Sequence, residues 1–376
     1  MVEIGHNILP ASLGNSSKIT SFHFGSTSSS HKVYIQAALH ADEIPGMLVA
    51  WQLKQQLQRL EAEGHLQAQV VLVPQANPLG HAQTLLGQQL GRFSLASGEN
   101  FNRNYSQLAA NVYRQVCASL GRCEAENTRL IRRQMIREME AEVPQTELQS
   151  LRWNLMRLAV DADVVIDLHC DYRAVLHVYT AAQLWPQCAP LAGLLGAQVN
   201  FVSDAAGGNP FDEACCRPWW EIRDMAARDG LDVPVALACL GVTIELRGQQ
   251  DVAASLARQD ADAILDFLRW RGYLTDRPVA VPAASLPAPT PLAGSENVLA
   301  PHPGIVHFLT TPGSRVQAGE PLAEIIDPIG NRVSVLSSRY GGVVYTLENR
   351  HYATAGMWVA KVATGQAFKT GNLLSA

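Results

Sequence analysis

The sequence predicts an α/β protein: a mixed, largely parallel sheet with helices on both faces, followed by a small all-β module. Three observations carry this. Apolar runs at 32–39, 68–74, 163–169 and 235–246 have the length and the Val/Ile/Leu content of strands buried on both faces, and helical patterns separate them. A stretch at 276–297 holds five prolines among alanines and serines, the composition of a linker or an extended crossing segment. Beyond it, 298–376 alternates over short spans between turn signals such as Pro312-Gly313 and Gly341-Gly342. The expected organisation is an α/β domain over 1–275, the linker over 276–297 and a β-module over 298–376.

Composition narrows the function. A chain of 376 residues, 47% hydrophobic, can bury a large core and fill two domains. Charged residues make up 17%, below the usual quarter, and the net charge is −5. There is no lysine-arginine run, which argues against a nucleic-acid partner. No apolar run approaches the roughly 18 residues that span a bilayer. Met1 to Ser30 is polar, without the charged and apolar regions of a secretory signal. The seven cysteines lack CxxC spacing, so they read as reduced thiols of a cytoplasmic protein, not as a structural zinc-thiolate site.

In chain order, 17–25 alternates like a strand, and 32–39 is a second, buried strand that breaks at His40. A helix follows over 45–62, with Pro45 in its first turn and Val49, Leu53, Leu57 and Leu60 as its apolar stripe; Gly64 ends it. The run 68–74 is a strand, and 79–105 reads as loop. Residues 106–160 read as an amphipathic helical hairpin, divided near Pro144 and inserted in the sheet order. Strands follow at 163–169, ending in His169, at 174–180, and at 235–246, carrying Glu245; a helix over 251–271 closes the domain.

Metal-capable side chains gather where strands end. His40 and Glu43 sit three residues apart on the turn after one strand, and His169 ends another. In an open α/β sheet, ligands bind beyond the carboxyl ends of the strands, so the three can converge on one crevice. Two imidazoles and one carboxylate, with a position left for water, form the ligand set of a catalytic zinc site. His-x-x-Glu alone is a short, common pattern, and a lone strand-end histidine is usually a hydrogen-bonded core residue; the paired placement is what raises the metal reading above these. Glu245 ends an otherwise apolar strand and is the candidate general base; its structural alternative is an ion pair with Arg247. Arg103, flanked by Asn102 and Asn104, offers a planar fork either for a substrate carboxylate or for the scissile carbonyl. Arg92 is a weaker candidate of the same kind. Asp167 shares a strand face with His169 and either orients it or is buried for structure.

Taken in order, His40-Ala-Asp-Glu43, Asn102-Arg103, Asp167-Leu-His169 and Thr243-Ile-Glu245 resemble the zinc carboxypeptidase-like superfamily, and within it the succinylglutamate desuccinylase/aspartoacylase branch. The resemblance spans roughly 30–270 and the terminal β-module. It implies that His40, Glu43 and His169 bind Zn²⁺, about one per chain, that Glu245 is the general base, and that Asn102 and Arg103 contact substrate. Arg92 resembles a second arginine that polarises the carbonyl, at a longer spacing than the pattern has. The segment from Ala300-Pro301-His302-Pro303-Gly304 to Asp327-Pro328-Ile329-Gly330 looks like a biotinyl/lipoyl-type β-sandwich, but its turn at 327–332 has no lysine to modify.

The expected function is a zinc-dependent hydrolase that cleaves the amide bond of a small N-acyl amino acid or related N-acyl amine. Its partners would be that substrate and, at most, further copies of itself. A metallocarboxypeptidase acting on peptides and a non-catalytic metal-binding protein are the competing readings.

Overall fold

A computed structural model describes residues 1–283, 286–371 and 373. Residues 284–285 of the expected linker, and 372 and 374–376 of the expected module, lie outside the described residues. The centre is a nine-stranded sheet. Gln69–Val73, Lys32–Ala37, Val164–Asp171 and Leu240–Gly248 lie side by side and parallel in its middle. Ser17–Phe24 adds antiparallel on one flank, followed by Val2–Ile8. On the other flank His177–Thr180 runs antiparallel to Leu240–Gly248, and Val199–Val202 and Thr290–Pro291 continue beside it. The sheet is thus mixed and largely parallel, as the sequence predicts.

Burial explains the strand patterns. Val164 to His169 are all buried because helices cover both faces, so this strand shows no polar alternation. One helix layer contains Pro45–Ala62 and Ala254–Trp270, which pack together. Phe211–Arg228 covers the opposite face: a Cβ at Gly46 would meet Leu168, and one at Gly241, paired with Val165, would meet Cys216, and these two strand positions point to opposite sides.

Several elements depart from the sequence reading. The N-terminal segment forms the edge strand Val2–Ile8, whose polar residues suit a largely exposed edge. The strand bearing Glu245 begins at Leu240, not 235. The expected hairpin at 106–160 has three α-helices, Ala109–Val116, Glu124–Ala141 and Glu147–Ala159, with Pro144 between the last two. Within 276–297, Thr290–Pro291 already joins the large sheet and Ser295–Leu299 pairs with Trp358–Ala363.

The C-terminal strands form two small sheets around their own core, which includes Leu322, Ile325, Val344 and Val359. They join the rest through main-chain pairing of Arg173–Ala174 with Gly342–Leu347 and through an aromatic cluster of His177, Phe201 and Tyr345. His177 is fully buried there. Its Nδ1 donates to the Val175 carbonyl at 2.8 Å, while its Nε2 has no partner among the described residues.

Burial pushes the His177 imidazole down to about 4. The folded protein therefore favours the neutral ring, and the effect on stability is absent above the ordinary pKa of 6.5. As pH falls from 6.5 towards 4, the unfolded chain binds a proton that the folded chain refuses, which costs about 3 kcal/mol. Thermal melts of His177→Phe across this window are expected to show a flatter loss of stability on acidification than the native chain. Parallel curves would refute the assignment.

Candidate metal centre and active-site cavity

The site is built on strand ends. After Lys32–Ala37 the chain turns sharply: Ala38 takes a left-handed φ of 56°, rare for a residue with a side chain. Two bonds hold this kink, from Ala76 N–H to the Ala37 carbonyl at 2.8 Å and from Asn77 Nδ2 to the Leu39 carbonyl at 2.9 Å. The turn then delivers His40 and Glu43 above the sheet. Two strands of the parallel core deliver the rest, with Glu245 and His169 as register partners on adjacent strands.

His40, Glu43 and His169 converge, with ligand atoms all within 4.8 Å of one another and all three residues buried. Each imidazole turns Nδ1 towards Glu43: His40 Nδ1 lies 2.9 Å from Oε1 and His169 Nδ1 lies 2.8 Å from Oε2. Both outer nitrogens are engaged too. His40 Nε2 is 2.9 Å from Asn100 Oδ1, and His169 Nε2 is 3.0 Å from Asp167 Oδ2. Behind these, Asn102 N–H donates to Asn100 Oδ1 at 2.8 Å, and Asp167 Oδ1 accepts from Gln36 Nε2 at 3.0 Å. Anchoring the outer nitrogen fixes the tautomer that leaves Nδ1 to accept a metal. Two such nitrogens and a carboxylate form a donor set that fits a divalent ion.

The electrostatics follow from one shared charge. Burial alone would raise Glu43, but His40 and His169 outweigh it and hold the carboxylate well below its usual range. Burial would also lower both histidines. For His169, Asp167 and Glu43 overcome this and hold it well above the ordinary value. For His40, burial assisted by Arg92 prevails, and it falls to about 4. The difference is that His169 has a second carboxylate and His40 has only the neutral Asn100 on its far side.

Arg92, the weaker arginine candidate in the sequence, is the one that reaches the triad. Its NH1 lies 3.4 Å from Glu43 Oε1 and 3.4 Å from His40 Nδ1. Gly91 permits this, since a Cβ there would sit 2.1 Å from the Asp42 nitrogen. Arg103 lines the same cavity, with NH1 donating to the Asn102 carbonyl at 2.7 Å. It passes so close to Gly208 that a Cβ there would sit 2.5 Å from its Cδ. Asn102 is engaged on both ends of its amide: Oδ1 accepts from Phe211 N–H at 2.9 Å and Nδ2 lies 3.4 Å from His169 Nε2.

Glu245 borders the same cavity, of about 330 Å³. Its Oε2 is enclosed with no partner among the described residues. Arg247 does not take it up; that guanidinium pairs with Asp260, beyond a register shift between Glu245 and Gly248. Burial, then the Glu43 charge, pushes Glu245 up to about 8. A larger groove of about 1330 Å³, beside residues 9–17 and 142–153, holds none of the triad.

Sequence reasoning missed several residues around the site. Asn100 lies in a loop already singled out, and only its contact with His40 marks it. Lys361 and Trp358 come from the C-terminal module: Lys361 Nζ lies 3.6 Å from Asp171 and 4.3 Å from the Trp358 ring centroid, and Trp358 stacks on Tyr172. No local signal marks them, because the docking of the module is what brings them to the cavity.

The sequence profile described as Succinylglutamate desuccinylase/Aspartoacylase catalytic domain matches residues 29–271. No curated protein matches the chain. Among solved structures, a succinylglutamate desuccinylase/aspartoacylase family protein from Shewanella amazonensis SB2B superposes with a TM-score of 0.82 at 26% identity, covering 96% of this chain and 98% of that one. A protein from Shewanella frigidimarina NCIMB 400, described under the same family name, gives 0.82 at 24% identity, covering 96% and 97%. A succinylglutamate desuccinylase/aspartoacylase from Rhodobacter sphaeroides shares the fold, with a TM-score of 0.63 at 16% identity over 96% and 94% of the two chains. With the profile covering well over half of its length, the chain belongs to the succinylglutamate desuccinylase/aspartoacylase family.

Proposed function

We propose that this protein is a zinc-dependent hydrolase that cleaves the amide bond of a small N-acyl amino acid or related N-acyl amine. The observation that carries the reading is Glu245: an enclosed carboxylate oxygen without a partner among the described residues, in the cavity that His40 and His169 also line. An unsatisfied buried carboxylate is costly in a fold, and a proton-shuttling role accounts for keeping it.

His40 Nδ1, His169 Nδ1 and the Glu43 carboxylate would hold the ion. When bound, zinc supplies Lewis acidity, lowering the pKa of water and polarising a carbonyl. Glu245 takes the proton of the attacking water and returns it to the nitrogen of the leaving amine. Arg92, beside Glu43, is placed to draw charge from the scissile carbonyl, and Arg103 to hold the substrate with Asn102 behind it. A cavity of about 330 Å³ suits a small acylated amine better than a peptide. The seven cysteines are free thiols, which supports a reducing, cytoplasmic setting.

Glu245→Gln is expected to retain about one zinc per chain and to lose roughly 10²- to 10⁴-fold in kcat. Unchanged turnover would remove Glu245 as the base. A panel of N-acyl amino acids and short peptides decides the substrate class, and turnover of peptides alone would sink the deacylase reading. Asp167→Asn, which weakens the hold on His169, is expected to lower zinc affinity about 10- to 100-fold in chelator competition. Equal affinity would show that Asp167 does not support the site.

A further inference from the structure

The helices at 106–160 carry one residue that is out of keeping with its surroundings. In Glu147–Ala159 a buried stripe runs through Leu148, Leu151, Arg152, Leu155, Met156 and Ala159, the spacing of an apolar helix face. An arginine holds one of these positions, with a side chain only 9% exposed. Charged side chains are seldom buried unless they are paired, and this one has two partners on a single loop. Its NH1 donates to Glu99 Oε2 at 3.0 Å and its NH2 to the Asn100 carbonyl at 3.0 Å. Glu99 is 42% exposed, so the ion pair is worth little. The bond to the Asn100 carbonyl is buried, and a charged donor on a buried carbonyl is the stronger of the two.

The same loop carries the outer contacts of the metal centre. Asn102 N–H donates to Asn100 Oδ1, which identifies that oxygen as an acceptor and His40 Nε2, 2.9 Å away, as its other donor. His40 Nδ1 is then the nitrogen free of a proton. Next along the loop, Phe101 N–H donates to the Arg92 carbonyl at 3.1 Å. The helix behind Arg152 is itself tied down on both sides of that residue. Leu9 N–H donates to Ser150 Oγ at 2.9 Å, Trp153 Nε1 to the Met139 carbonyl at 2.7 Å, and Asn154 Nδ2 to the Asn7 carbonyl at 3.1 Å.

We infer that Arg152 is a positioning residue: the helix Glu147–Ala159 uses its guanidinium to hold the Asn100 segment in place, so that His40 keeps its proton on Nε2 and presents Nδ1 to the ion. This gives the helical insertion a task in the reaction. The inference rests on the metal reading of His40, Glu43 and His169, whereas the state of the His40 ring can be read without metal or turnover.

The test uses the full chain and Arg152→Met. With ¹⁵N-labelled histidine and no metal, the native His40 ring is expected to show one tautomer, protonated on Nε2, and the variant a mixture of both. Chelator competition should show zinc affinity lower by about tenfold in the variant, the smaller end of the effect of outer contacts on a metal site. In an Asn100→Ala background, where His40 has already lost its anchor, Arg152→Met should change zinc affinity by less than about twofold, while still lowering the melting temperature. Arg152→Lys, which keeps a charge opposite Glu99 but loses the planar fork, repeats the comparison with less disturbance to the fold. A tautomer lost in the variant of a chain that neither binds zinc nor hydrolyses an acyl amine would uphold the positioning role and overturn the hydrolase reading alone. An unchanged His40 tautomer in both Arg152 variants, or equal losses of zinc affinity with and without the Asn100 side chain, would overturn the inference.

Discussion

One buried carboxylate organises this molecule. Glu43 spans two imidazoles, one on each oxygen, at 2.9 and 2.8 Å. A single negative charge cannot stabilise two imidazolium ions, and the surroundings break the tie. Asp167 backs His169, Asn100 backs His40, and the Arg92 cation stands on the His40 side. Each backing group is itself held, Asp167 by Gln36, whose amide oxygen accepts from the Tyr34 hydroxyl, and Asn100 by the Asn102 backbone. Order therefore passes from the middle of the parallel sheet out to the two donor nitrogens. A rigid, pre-oriented donor set of this kind loses little freedom when an ion enters.

Much of this was readable from the residues because strand ends are readable. The apolar runs before His40 and His169 are long, free of charge and sharply terminated, so the three triad residues and the parallel core follow from pattern alone. The same holds for Glu245, whose charge is conspicuous at the end of a hydrophobic strand. What sequence did not disclose depends on close approaches and on docking. Arg92 comes up to the triad because Gly91 lets one loop pass against the turn at Ala41 and Asp42, a contact that leaves no periodic trace. Arg247 finds Asp260 on a helix, not its strand neighbour Glu245. The strand at Val2–Ile8 was hidden by polarity, since an exposed edge does not need an apolar face.

The C-terminal strands extend this logic to the far side of the cavity. Their attachment combines main-chain pairing, at Arg173–Ala174 with Gly342–Leu347, and an aromatic cluster that buries His177 against Tyr345. Lys361, on the strand Trp358–Ala363, meets Asp171 at the end of the His169 strand. Two regions far apart in sequence are thus registered on each other by hydrogen bonds as well as by apolar contact, which leaves little room for independent rocking.

That attachment separates two kinds of change that the chain can absorb. The side chains of the candidate metal centre all sit on the large sheet and the turns that leave it, whereas Trp358 and Lys361 sit on a unit with its own core. Substitutions within the module can alter the wall of the cavity without touching the backbone that orients His40, Glu43 and His169. For protein engineering this makes the module an exchangeable part. Grafting a relative's C-terminal strands onto this sheet should carry over the shape of the cavity wall while the His40–Glu43–His169 group stays in place, provided that the pairing at Arg173–Ala174 is kept.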